Sequence, residues 1–114
     1  MKSKSSISEK QVEKALVKKV ESLGGKCWKF ISPSRVGVPD RLCLMHKGKV
    51  AFIEVKKPGE KLRKIQIKRK NELEAMGFKV FVLDTIERID EIIREIVGGK
   101  DDDLQTVWIP NSRK

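Results

Sequence analysis

Apolar positions along this chain recur at two spacings, and the switches between them mark out its elements. Val12, Leu16, Val20 and Leu23 fall at helical spacing. Ser8, with Gln11 three residues later, offers a capping-box start, and Gly24-Gly25 supplies the stop. Lys26 to Ile31 alternates as a strand, with Cys27, Lys29 and Ile31 opposite Trp28 and Phe30. The stretch Ser32 to Pro39 is a loop by its Ser, Gly and Pro content. Two short apolar runs, Leu42 to Met45 and Val50 to Val55, flank His46-Lys47-Gly48-Lys49 and predict a strand hairpin.

After Lys57-Pro58-Gly59-Glu60 a second helix is predicted from about Lys61 to Met76, with Leu62, Ile65, Leu73 and Met76 as its buried stripe. Lys79 to Leu83 reads as a strand. Asp84 or Thr85 caps a third helix through Val97, with Ile86, Ile89, Ile92, Ile93 and Ile96 inward. The order is α-β-β-β-α-β-α, an α/β domain over residues 8–98. Residues 1–7 are Lys/Ser-rich and expected to be disordered. Residues 99–114 form a tail whose Leu104 to Ile109 run, with Trp108, is apolar enough to dock on the domain or on a second subunit.

Composition narrows the class. A chain of 114 residues with 39% hydrophobic content suits one globular domain. No apolar segment approaches the roughly 20 residues of a membrane span, and no signal-peptide pattern opens the chain, so a soluble, cytoplasmic protein is expected. Lys and Arg total 26 against 16 acidic residues, a formal charge of +10, which favours a polyanionic partner, most often nucleic acid. Cys27 and Cys43 are too few and too isolated for a zinc site and read as small core residues. His46, the only histidine, lies in the predicted turn.

Candidate chemistry follows from period two. Asp40, Leu42 and Leu44 share one strand face, as do Phe52, Glu54 and Lys56. Glu54 is a carboxylate inside an apolar run, where desolvation is costly unless it is paired or binds a metal. Asp40 and Glu54 on adjacent strands, with Lys56 beside them, are placed to converge on one cation in a phosphodiester-hydrolysing site. Gln66 projects into the stripe of the second helix and needs hydrogen-bond partners, either that cluster or water at the stripe's edge. Glu9 and Glu13 both lie on or beside the apolar stripe of the first helix; the role of dipole partner suits Glu9 in the first turn, and that of a site residue suits Glu13 one turn further in. Ser32, Ser34 and Arg35 in the loop, Arg41, and Lys57, Lys61, Arg63 and Lys64 around the second helix form a candidate phosphate-contacting set.

These residues carry a resemblance. Pro39-Asp40 followed by Glu54-Val55-Lys56 is similar to the PD-(D/E)XK nuclease signature. The wider text, Gly24-Gly25-Lys26-Cys27-Trp28-Lys29-Phe30, Gly37-Val38-Pro39-Asp40-Arg41, Ile53 to Gly59, and Gln66 with Leu73 and Gly77-Phe78, resembles the small stand-alone form of the VRR-NUC (virus-type replication-repair nuclease) family. The resemblance implies a mixed central sheet flanked by helices, and a Mg²⁺- or Mn²⁺-dependent endonuclease. It implies Asp40, Glu54 and the Val55 carbonyl as metal ligands, Lys56 at the attacking water, and Gln66 as the glutamine of the following helix. In similar archaeal Holliday-junction resolvases a helix-one glutamate precedes the helix-ending glycine by eleven residues, which selects Glu13 as a further catalytic and metal residue. The same resemblance implies a homodimer of phage type acting on branched DNA. A non-catalytic nucleic-acid-binding module and a flap or nicking enzyme are the competing readings.

Overall fold

The computed structural model describes residues 7–98. The expectations for residues 1–6 and for the 99–114 tail lie outside the described residues. The elements are α1 (Glu9–Ser22), β1 (Lys26–Lys29), β2 (Arg41–Met45), β3 (Lys49–Val55), α2 (Lys64–Ala75), β4 (Lys79–Leu83) and α3 (Ile89–Val97). Strand order in the sheet is β1-β2-β3-β4. The first three strands form an antiparallel meander, and β4 returns parallel to β3 after the α2 crossover. The element order is the one the hydrophobic pattern predicts, and the mixed sheet flanked by helices is the arrangement the resemblance implies.

One face of the sheet builds the core. Val12, Leu16 and Val20 of α1 and Ile92, Ile93 and Ile96 of α3 pack on Cys27, Cys43, Ala51, Ile53 and Val55. The capping box at Ser8 and Gln11 forms, with both bonds made. Ile7, at the end of the stretch expected to be disordered, packs partly buried against this core. Both cysteines are free and buried, and burial pushes Cys27 up to about 11 and Cys43 to about 12, so they remain neutral thiols.

Three boundaries differ from the sequence expectation. The second helix starts at Lys64 rather than Lys61, because Arg63 is extended (φ −78°, ψ 160°) and its N–H is capped by the Gln66 side chain at 2.8 Å. Its stripe also differs. Met76 is 67% exposed, Leu62, Ile65 and Leu73 are half-buried, and Gln66 alone is fully buried. Strand β1 ends at Lys29, and Ile31, expected on the face of Cys27, is exposed. Ile86, expected inside the third helix, is instead exposed in a 3₁₀ turn, Ile86–Arg88, that precedes α3.

Gly37 brings the loop before Asp40 under α2. Its φ is +83°, and a Cβ there would stand 2.9 Å from the Ile65 carbonyl oxygen. Both the conformation and the approach require glycine. Arg69 of α2 fixes the same loop by donating from Nε to the Val36 carbonyl at 2.8 Å.

Candidate active site

The β2–β3 register sets the site. Arg41 pairs with Ile53, so the next step outward brings Asp40 opposite Glu54. Phe30 N–H donates to the Asp40 carbonyl at 2.8 Å, continuing the β1–β2 ladder to the same level. The Asp40 side chain turns onto β3: its Oδ2 accepts from the Val55 N–H at 2.9 Å. Burial raises the Asp40 pKa, the Val55 N–H works against that shift, and neighbouring Glu13 adds to it.

Glu54 and Lys56 are buried on the sheet face opposite the core, at 5% and 6% exposure. Gln66 Nε2 donates to Glu54 Oε2 at 2.7 Å, and Lys56 Nζ stands 3.8 Å from the same oxygen. Gln66 therefore uses both ends of its amide, one on the α2 N-terminus and one on Glu54. Among the described residues, Glu54 Oε1 is buried and has no hydrogen-bond partner. Burial first, then the nearby Asp40 charge, pushes the Glu54 pKa up to about 7, with Lys56 opposing. A buried carboxylate oxygen without a partner is costly, and a bound cation is one way to satisfy it.

Thus Asp40, Glu54, Lys56 and Gln66 stand together. Glu13 is placed differently. Its Oε2 is held by Arg41 Nε at 2.8 Å and lies 3.7 Å from Lys29 Nζ. It reaches the site only through its charge on Asp40. Glu9, one turn earlier, is electrostatically coupled to Asp40, Glu60 and Lys56, and it contributes to the raised pKa of Glu54. Its own pKa is raised, by burial first and then by Asp40. First-turn position and the glycine spacing both favour Glu13 in the sequence; the four-residue spacing of Glu9 from Glu13, on the same helix edge, is the signal that points to Glu9.

Among the described residues, no group of three or more His, Cys, Asp or Glu side chains is disposed to hold a metal ion. Asp40 and Glu54 with the orphaned Oε1 form a two-carboxylate oxygen set. That chemistry fits a hard cation of the Mg²⁺ type, which keeps several of its own waters and binds through one or two carboxylates.

The candidate phosphate contacts divide. Ser34, Arg35, Lys57, Lys61, Arg63 and Lys64 are exposed, and Ser32 is half-buried. Arg41 has a structural position instead: besides Glu13, its Nη1 donates to the Cys27 carbonyl at 3.0 Å, with only 15% of its side chain exposed. No helix among the described residues is long and apolar enough to cross a membrane.

Comparison with known proteins identifies the family. Residues 2–85 match the model of the VRR-NUC domain family. The chain is 47% identical over 79 residues to "Putative nuclease p44" of Acyrthosiphon pisum secondary endosymbiont phage 1, covering 69% of this chain and 85% of that protein. A solved structure of a VRR_NUC domain superposes with a TM-score of 0.71 at 29% identity, covering 75% of this chain and 94% of the other.

Proposed function

The chain belongs to the VRR-NUC family and is a nuclease domain of it, and from that premise we propose a metal-dependent endonuclease that hydrolyses phosphodiester bonds in branched DNA. The observation that carries the reading is the cluster of buried Glu54, Lys56 and Gln66 with half-buried Asp40, and among the described residues its one unsatisfied carboxylate oxygen. A binding module has no use for two desolvated carboxylates held side by side, since both disfavour a phosphate.

Asp40, Glu54 and the Val55 carbonyl are the groups that would hold Mg²⁺ or Mn²⁺. When bound, the ion polarises the phosphate and lowers the pKa of a water. The chain's own residues do the rest. Gln66 fixes the Glu54 carboxylate by its 2.7 Å bond through Oε2, and Oε1 is the oxygen that would be free to take a cation. The Val55 N–H orients Asp40 in the same way. Lys56 supplies a buried cation at the level of Glu54, placed to orient the attacking water and to offset charge developing on the phosphate. The exposed cations at the start of α2 supply the positive surface that a DNA backbone needs.

A homodimer of Holliday-junction-resolvase type fits this reading, because a two-fold axis sets two such sites on opposite strands of a four-way junction. The test is cleavage of a labelled four-way junction, a 5′ flap and plain duplex with Mg²⁺ or Mn²⁺, wild type beside Asp40→Asn. Paired symmetric cuts in the junction, lost in the variant while binding persists, are expected. Cuts in the flap alone would keep the nuclease and remove the resolvase. Tight binding with no metal-dependent cutting of any substrate would leave a binding module.

A further inference from the structure

Among the described residues, the sheet face that carries Glu54 and Lys56 is only half covered. Helix α2 lies against β4 and reaches β3 through Gln66. On the β1–β2 half, Trp28 is 56% exposed and Leu42 and Leu44 are half-buried. Register explains how this surface relates to the site. Trp28 pairs with Leu42, Leu42 with Phe52, and Phe52 with Val80, one row across the sheet. The next row runs through Phe30, Asp40 and Glu54. Two residues of strand are about 6.8 Å and one interstrand step is about 4.8 Å, so the Trp28 backbone lies about 8 Å from that of Asp40. The two rows are tied together by Phe30 on Phe52, with ring centroids 5.4 Å apart.

An exposed indole beside a nuclease site is an expensive feature to leave in water, and its surroundings identify the occupant. Lys26, on the same face two residues away, and Arg35, on the rim of the groove of about 230 Å³ that continues past Phe30, are both exposed cations. A second copy of this chain would bring the same cations to the contact, on a molecule already at +10. A DNA strand complements them, and an aromatic platform within a basic surface is what an unpaired base stacks on.

We propose that Trp28 is a stacking platform for an unpaired base of the DNA strand held at Asp40 and Glu54. This rests on the nuclease reading above and adds to it the substrate feature recognised: a nucleotide out of its base pair within one or two positions of the scissile phosphate. Unbranched duplex keeps its bases inside the helix and leaves the indole unused, whereas opening of a branch point in a junction or flap frees a base beside the scissile phosphate. Trp28 is thereby a specificity-determining residue rather than a catalytic one.

The test uses the full chain with Asp40→Asn, so that substrate is bound and not cut, and Trp108→Phe, so that Trp28 is the only indole. The probes are a 5′-flap oligonucleotide and a blunt duplex of equal length. The flap is expected to quench Trp28 fluorescence and the duplex to leave it unchanged. Trp28→Ala is expected to weaken flap binding roughly 5- to 140-fold, the range of one stacked base, and to leave duplex binding unchanged. Trp28→Phe, which keeps a ring, retains most of the affinity and controls for misfolding. An abasic residue at the stacked position should cost the Trp28 protein what Trp28→Ala costs with the intact flap.

Equal losses on flap and duplex, or no loss on either, would overturn the proposal. So would a change from dimer to monomer in sedimentation on Trp28→Ala, which would give the face to a second copy. Cutting by the chain with Asp40 intact is scored separately. Failure of stacking leaves the nuclease standing, and failure of all cutting removes the nuclease whatever the fluorescence shows.

Discussion

The two faces of the sheet are built on opposite rules. Toward α1 and α3, buried apolar side chains meet one another, and burial alone holds them: Leu16, Ile53, Ile92 and Ile93 are completely enclosed. Toward α2, the buried groups on β3 beyond Phe52 are a carboxylate and an ammonium, and the one buried residue of the helix is a glutamine. Apolar burial is concentrated on the first face and the candidate chemistry on the second. Because β3 alternates between them, Ile53 and Val55 anchor the strand while Glu54 and Lys56 are held out on its other side. The core face thus fixes the position of a polar cluster that would not hold itself together.

The sharpest way to break this comparison is one substitution on each face. Lys56→Met keeps the buried stem and removes the charge; the cleavage rate is expected to fall on the order of 10²–10³-fold, the usual range for losing one group that stabilises developing charge. The stability loss is limited, because Glu54, with a pKa near 7, takes up a proton when its counter-ion goes. Leu16→Ala should behave in reverse, costing about 2–5 kcal/mol of stability with the rate unchanged below the new melting point. Single-turnover kinetics and denaturant melts on both variants check this. A Leu16 variant that loses rate without stability would mean that the faces are not separable.

The same contrast explains how far the sequence could be read. The core face was legible almost residue by residue, since Val12, Leu16, Val20 and the α3 isoleucines follow a plain helical period. The cluster was legible because Glu54 interrupts an apolar run and so has to be accounted for. Helix α2 was read less well. Its stripe was drawn from Leu62 to Met76, yet the helix presses on the sheet through Gln66, and a polar anchor leaves no apolar period. Sequence spacing puts Arg41 at the DNA surface and Glu13 at the metal, whereas in the fold each is held by the other. Nothing in sequence spacing reveals a bond between residues 28 positions apart.

A smaller effect concerns pH. The Glu54 pKa rises from an ordinary 4.5 to about 7 on folding, so between those values the folded chain holds more protons than the unfolded one. Stability of the metal-free protein therefore falls as pH rises through that window, by an amount on the order of 1–3 kcal/mol, and levels off above it. Asp40, also raised, acts in the same direction at lower pH. Glu54→Gln should flatten the slope. Divalent cation should raise the melting temperature more at pH 8 than at pH 5.5, because it competes with the proton for the same carboxylate. Thermal melts across pH, with and without Mg²⁺, measure all of this; an unchanged slope in Glu54→Gln would place the titrating group elsewhere.

The finest distinction lies within α1, between two glutamates four residues apart. Glu13 is bound to Arg41 and lies near Lys29, whereas Glu9 is exposed and is coupled to Asp40, Glu54 and Lys56. Glu13→Gln leaves the half-buried Arg41 without its carboxylate and should cost stability, about 1–3 kcal/mol. Glu9→Gln removes a negative charge that faces the cluster and should leave stability nearly untouched. Its effect is expected on divalent-cation affinity, a weakening of a fewfold, the size of one exposed charge acting through solvent. Metal titrations followed by melting temperature separate the two. If Glu13→Gln weakens the metal and leaves the fold intact, its bond to Arg41 is exchanged for a ligand bond when metal enters. Helix one then serves the site through Glu13 after all.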